Sequence, residues 1–332
     1  MGQNVRVSVI GGGSWATALV KILSNNVLHI NWWLRKEESV KHIKEFKRNP
    51  RYLSDVVINT DIVNLFTDVE ECIKESEIVI LAVPSAFLKD SLVNINSEHL
   101  KNKKVFSAVK GIIPENLVIV GEFVHQEFSV PYENIGVISG PCHSEEVALE
   151  KLSYLTISCQ NEKNTHELAE LMRCRYIKVT ESDDIYGTEY GAVLKNVYAI
   201  AAGLANGVGY GDNFQAVLMS NAIREMKRFV DAVHPINRDI NDSAYLGDLL
   251  VTSYSQFSRN RTLGNMIGRG YTVKSAMMEM GMIAEGYYSV KCVYELNKKY
   301  KVDMPICEAV FNVLYDNISP RMEMKLLTDQ LN

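Results

Sequence analysis

Lys195 stands in "YGTEYGAVLKNVYAIAAGLANGVGYGDN" as the only charged side chain between Glu189 and Asp212. Burying an ammonium among apolar neighbours is costly unless it is paired, and desolvation draws its pKa down toward the range where it can give and take a proton near neutrality. Helical spacing would align Gly187, Gly191, Ala199 and Gly203 with the lysine, predicting a groove of small residues that admits a ligand. Asn196, next in sequence, would hydrogen-bond the same ligand or cap a neighbouring loop. The alternative is a lysine that snorkels to the surface along a buried helix. Two basic patches suit an anion. In "LGDLLVTSYSQFSRNRTLG", Asp248 precedes Ser258, Arg259, Asn260 and Arg261, where a serine N-cap, free helix N–H groups and forked guanidiniums fit a phosphate dianion. In "FSAVKGI", Lys110 follows a strand, at the sheet edge where a substrate is expected. Either patch alone is commonly a solvated face. Their company with Lys195 is the stronger indication.

A second kind of chemistry is written in "VRVSVIGGGSWATALV", where Gly11, Gly12 and Gly13 separate a β-branched run from a helical one. Gly11, Gly13 and Ala16 fit G-x-G-x-x-G/A, the turn that lets a pyrophosphate touch backbone at a helix N-terminus, with Ser14 as the expected N-cap. About 20 residues on, "INWWLRKEE" offers Arg35, which suits a ribose 2′-phosphate and so NADP, while Glu37 nearby keeps NAD open. The six cysteines form no C-x-x-C pair, so no metal site or disulfide framework is expected, only reduced thiols.

The elements that must position these groups fall into two textures. Candidate strands are Val5–Ile10, Ile30–Leu34, Val63–Phe66, Ile78–Val83, Lys104–Ala108, Ile135–Ser139, Tyr154–Ser158 and Tyr176–Val179, alternating with helical patterns as in a mostly parallel α/β sheet. After Ser182 the pattern is helical, with breaks expected at Gly203–Gly211 and Gly264–Gly270 and a mobile or lightly docked tail from Ser319. The expected plan is therefore a dinucleotide-binding domain over 1–185 and an all-α substrate and catalytic domain over 186–332, with the ligand in the cleft. The chain has 47% apolar and 23% charged residues, the composition of a soluble globular protein with two ample cores. A net charge of −5 speaks against a nucleic-acid partner. No apolar stretch is long enough to span a bilayer, no leader precedes the first strand, and Arg6 stands where a myristoylation signal after Met1-Gly2 would need Ser or Thr. A cytoplasmic location is expected.

The motifs "VIGGGSWATAL", "AVPS", "KGI", "ISGP", "GAVLKNVYAIAAGLANGVGYGDN", "LGDLLVT", "SRNRTLG", "AEGYYSVK" and "MPICEAVFNVLY" follow one another from Val7 to about Asn317. In their order and spacing the chain resembles the bacterial NAD(P)-dependent glycerol-3-phosphate dehydrogenases. The resemblance implies a Rossmann-type domain and reversible hydride transfer between NAD(P)H and dihydroxyacetone phosphate, giving sn-glycerol 3-phosphate for phospholipid synthesis, in a homodimer. It implies Lys195 as proton donor and acceptor, and Lys110 touching both cofactor and substrate. Gly11, Gly13, Ser14, Trp15, Arg35, Ser144, Arg259, Ile283 and Glu285 match cofactor positions. Gly140, Cys142, Asp248, Ser258, Arg259 and Asn260 match substrate positions.

The sequence departs from that pattern at Cys142 and His143, where a hydroxyl and an aromatic residue are commoner, at Asn221, often arginine, and at "NDSAYLGD" before Asp248. A Cys142–His143 nucleophile is disfavoured, because adjacent side chains point apart and no carboxylate orients the histidine. Two rivals share the architecture: a dehydrogenase of phosphogluconate or a β-hydroxyacid, and a cofactor sensor without catalysis. The phosphate cluster opposes the first and the isolated lysine the second.

Overall fold

The chain, described here over residues 3–332 by a computed structural model, separates into two compact units. One comprises the chain up to Val109 together with Val120–Ile185; the other comprises Lys110–Ile119 and Tyr186–Asn332. Met1 and Gly2, on which the myristoylation argument fell, lie outside the described residues.

The first unit is built on eight strands: β1 (Gln3–Ile10), β2 (Val27–Trp33), β3 (Val63–Phe66), β4 (Ile78–Leu81), β5 (Lys104–Ser107), and, after a hairpin of β6 (Ile112–Ile113) and β7 (Val118–Ile119) that belongs to the other unit, β8 (Ile135–Ser139), β9 (Ser153–Cys159) and β10 (Ile177–Ser182). Their order is β10-β9-β8-β5-β4-β1-β2-β3. Every neighbouring pair is parallel except β8 with β9. The helices here are α1 (Ser14–Leu23), α2 (Glu37–Phe46), α3 (Val69–Lys74), α4 (Ser85–Leu92), α5 (Val120–Phe128), α6 (Ser144–Ala148) and α7 (Glu162–Met172). Strands covered on both faces need continuous apolar runs. Val7, Val9, Ile10, Ile78, Val79 and Ile80 are accordingly fully buried. The chain leaves β3 at one edge and returns as β4 on the far side of β1, so the strand order reverses between β1 and β4. Ligands of open α/β sheets bind at the carboxyl ends beside such a reversal.

The second unit carries α8 (Ile185–Val208), α9 (Asp212–Val233), α10 (Asp248–Tyr254), α11 (Arg259–Gly268), α12 (Val273–Met280), α13 (Glu285–Tyr300), α14 (Pro305–Leu314) and α15 (Pro320–Thr328). It is not purely helical, since the β6–β7 hairpin joins it. All residues of α8 from Gly187 to Ala205 are buried, and Val193, Leu194, Val197, Tyr198, Ile200 and Ala201 lie in the core of this unit. A helix apolar all round is one enclosed by others.

Both expected helix breaks are present, at 209–211 between α8 and α9 and at 269–272 between α11 and α12, but they begin later than expected: α8 and α11 run through Gly203 and Gly264 and cross there backbone to backbone. A Cβ on Gly203 would overlap the Arg261 carbonyl oxygen and come within 2.8 Å of the Asn265 nitrogen; one on Gly264 would overlap the Ile200 carbonyl oxygen and come within 2.8 Å of the Leu204 nitrogen. Of the two alternatives for the tail, the docked one describes it: α15 buries Glu323, Met324 and Leu327, while Asn221 exchanges hydrogen bonds with Asn332. Backbone cannot yield as a flexible side chain does, so Gly264→Ala should cost about 3 kcal/mol, the upper end for overpacking. That corresponds to a thermal midpoint lowered by roughly 6–12 °C. A circular-dichroism melt within a degree of the parent would show that the helices have room to part.

Candidate active site

In the sheet unit the glycine turn follows β1 at its carboxyl end. Gly11 has φ of +139°, where glycine alone is unstrained, and a Cβ there would overlap the Ala82 carbonyl oxygen beyond β4. The buried indole of Trp32 donates to the Gly11 carbonyl at 2.6 Å, and Asn49 donates to the Gly12 carbonyl at 3.1 Å and to the Thr17 hydroxyl at 2.9 Å. The turn is thus held from β2 and from the segment after α2. Contrary to expectation, Gly13 and not Ser14 occupies the N-cap of α1, and no described side chain caps it. Ser14 is the first helical residue. A serine cap would have claimed an amide that an anion needs. A Cβ at Gly13 would meet nothing within 4 Å, so a phosphate can approach this backbone. The residues present therefore fit a dinucleotide.

The other sheet-unit residues cluster along the same edge. Trp15 lies half-buried in the first turn of α1, and Arg35 is exposed just past β2. Gly140, with φ of +111°, turns the chain out of β8. Cys142 is packed in the core of this unit, and Ser144 opens α6, its hydroxyl donating to Glu145 at 2.9 Å. Lys21 on α1 donates to the Ala148 carbonyl at the end of α6 at 2.9 Å, tying the two helices together.

In the helical unit the structure brings together Lys110, Lys195, Asp248, Ser258, Arg259, Asn260, Ile283 and Glu285. Lys195 is 3% exposed and Asp248 1%, and the two form a salt bridge. The lysine therefore neither snorkels nor stands alone. A π-helical turn, Ser243–Gly247, leads into α10 and delivers Asp248 as its first residue; such turns recur at functional sites. Burial pulls Lys195 down to about 7, Asp248 opposing and the Lys110 cation assisting. Burial likewise pushes the Glu285 carboxyl up, against the pull of Arg259, Lys110 and Lys195. The expected groove of small residues is filled by protein: a Cβ on Gly191 would meet the Tyr245 ring at 3.1 Å, and Gly203 lies against α11.

Ser258 caps α11 as expected, its hydroxyl accepting from the Arg261 N–H at 3.2 Å. Arg259 and Asn260 open that helix, and Arg259 reaches the Ile283 carbonyl at 3.4 Å. Thr252 was missed. It is buried one turn beyond Asp248, and its hydroxyl has no hydrogen-bond partner among the described residues. The spacing in "GDLLVT" would have found it, because residues four apart share a helix face. Two cations, Lys110 and Arg259, with two carboxylates and an unsatisfied hydroxyl make a site for a small anion beside the Lys195 amine, which titrates near neutrality.

Comparison with known proteins agrees along the whole chain. Residues 6–165 match the family described as NAD-dependent glycerol-3-phosphate dehydrogenase N-terminus, and residues 184–325 its C-terminus. The chain is 35% identical to the glycerol-3-phosphate dehydrogenase [NAD(P)+] of Staphylococcus carnosus over 97% of both sequences. It is 36% identical to that of Exiguobacterium sp. over 97% of this chain and 94% of the relative. A crystal structure of glycerol-3-phosphate dehydrogenase from Coxiella burnetii superposes with a TM-score of 0.91 at 26% identity, covering 98% of this chain and 99% of that one.

Proposed function

Because the chain belongs to the NAD-dependent glycerol-3-phosphate dehydrogenase family, we propose that Lys195 is its proton donor and acceptor and that Lys110, Gly140, Cys142, Asp248, Ser258, Arg259 and Asn260 are its substrate contacts. The activity is the reversible NAD(P)H-dependent reduction of dihydroxyacetone phosphate to glycerol 3-phosphate. When bound, the nicotinamide supplies or takes back the hydride at the substrate's central carbon. In reduction Lys195 gives its proton to the oxygen that becomes a hydroxyl, and in oxidation its neutral amine takes that proton back. Asp248 holds the lysine's cationic form in a site where burial disfavours it. Arg259, Asn260 and Lys110 grip the phosphate, which fixes the carbonyl against the amine and lowers the entropy cost of reaction. Thr252 gives a substrate oxygen a hydrogen-bonding partner.

Gly11, Gly13, Ser14, Trp15, Arg35, Lys110, Ser144, Arg259, Ile283 and Glu285 are the proposed cofactor contacts, in a plan where 1–185 binds the dinucleotide and 186–332 performs the chemistry. A cytoplasmic homodimer is part of the same proposal, resting on the sequence resemblance alone; among the described residues no helix is long and apolar enough to cross a membrane. The observation that carries the assignment is the buried Lys195–Asp248 pair, which a cofactor sensor would have no use for. Loss of reduced-nicotinamide absorbance on mixing the protein with dihydroxyacetone phosphate and NADPH, then NADH, tests it; a flat trace with both would discard the dehydrogenase reading.

Arg35 bears on cofactor choice. An exposed guanidinium contributes less than a buried one, so Arg35→Ala should weaken NADPH about 5- to 10-fold while NADH changes less than twofold. Equal loss in fluorescence titrations of the two cofactors would mean that Arg35 does not read the 2′-phosphate.

A further inference from the structure

Four segments far apart in sequence close into one hydrogen-bonded ring. Asn196 on α8 donates through Nδ2 to the Lys110 carbonyl at 3.1 Å and accepts on Oδ1 from Asn260 Nδ2 at 2.9 Å. Asn260, on α11, accepts in turn from the Gly286 N–H at 2.9 Å. Glu285, the residue before it on α13, takes the Lys110 N–H on its carboxylate and so completes the circuit. Donation runs one way throughout: Gly286 to Asn260, Asn260 to Asn196, Asn196 to Lys110, and Lys110 back to Glu285. Asn196 and Asn260 are 5% and 8% exposed, so an amide turned the wrong way would set donor against donor with little water to repair it. The ring is also tight. A Cβ on Gly286 would come within 2.7 Å of the Asn196 carbonyl oxygen and 2.9 Å of Asn260 Oδ1.

We propose that Asn196 is a positioning residue, one that locks the Lys110 peptide to the start of α11 and so sets the anion grip of Lys110, Arg259 and Asn260 relative to Lys195, its neighbour on α8. The inference rests on the reading that those three residues hold the substrate's phosphate. A grip that drifts spoils the alignment of a substrate held by its phosphate, and matters much less to a substrate without one. Asn196 therefore governs the preference for phosphorylated over unphosphorylated ketone.

The test uses the full-length enzyme with dihydroxyacetone phosphate and dihydroxyacetone. Asn196→Leu removes both amide contacts, and its preference, the ratio of kcat/KM for the two ketones, should contract about 30-fold, in keeping with loss of buried hydrogen bonds. Most of the change should lie in KM for the phosphorylated substrate. Asn196→Asp keeps the size and the acceptor but cannot donate to the Lys110 carbonyl, and should contract the preference in the same direction; it serves alone if the leucine variant does not fold. Equal losses on both ketones, or an unaltered preference in Asn196→Asp, would overturn the proposal. Arg259→Ala separates the two levels. A contracted preference there with an intact one in the Asn196 variants sinks the ring alone, whereas an intact preference in Arg259→Ala sinks the phosphate reading beneath it.

Discussion

Replacing Lys195 with methionine should lower kcat about 10⁴-fold, the upper end of what a positioned acid or base contributes, while NADPH binding measured by fluorescence changes less than twofold. Methionine has nearly the length and volume of lysine, so packing along α8 is kept. What is lost is the titrating nitrogen. The substitution also leaves Asp248, 1% exposed, without its counter-charge, and breaking one side of a buried ion pair typically costs about 3–5 kcal/mol. A fall in activity could then reflect a weakened fold. The double variant Lys195→Met/Asp248→Leu removes both charges together, a change that is often neutral or stabilising. It should regain the parent's thermal midpoint and stay inactive. Near-normal turnover in either variant would remove Lys195 from the mechanism.

What could be read from the sequence follows from how far apart the cooperating residues lie. The strands were legible because a central parallel strand buries both faces and so writes itself as an unbroken apolar run, as Ile78–Leu81 does. The peculiarity of Lys195 was legible too, since one charge in a long apolar helix is a local fact. Its partner was not. Asp248 lies 53 residues away, and only the folded α10, aimed by the π-turn before it, brings the carboxylate to the amine. The same separation hid the ring that joins Lys110, Asn196, Asn260 and Glu285. Glycine misled in a third way. In sequence Gly203 and Gly264 are indistinguishable from helix breaks, because the features that absorb a missing side chain there are the backbones of two crossing helices. At Gly13 the turn motif predicted the right loop but the wrong cap, since a local rule that favours serine at a helix N-terminus takes no account of amides kept for a ligand.

The Asp248→Asn variant should move the pH dependence of turnover, and the sign of the movement identifies the titrating group. Burial draws Lys195 down to about 7 while Asp248 pulls the other way by favouring the ammonium. On the role proposed for Lys195, ketone reduction in the parent draws on that ammonium, so kcat/KM in this direction should be level below about pH 7 and fall tenfold per unit above it. Alcohol oxidation needs the free amine, so its kcat/KM should rise toward about pH 7 and then level off. Asparagine keeps the shape of the side chain but removes its negative charge, which leaves desolvation and Lys110 unopposed. An opposite charge in contact is worth about 1–3 units, so both limbs should shift to lower pH by that amount. At neutral pH, where about half of the parent's lysine is protonated, reduction then loses about 5- to 500-fold from protonation state alone, and oxidation is spared that loss because the amine is already free. Profiles measured in both directions, extrapolated to limiting substrate so that they report the free enzyme, decide the matter. A shift to higher pH would take Lys195 out of the titration. Unmoved limbs with a uniform loss would make the carboxylate a packing element, leaving another group to set the pH dependence.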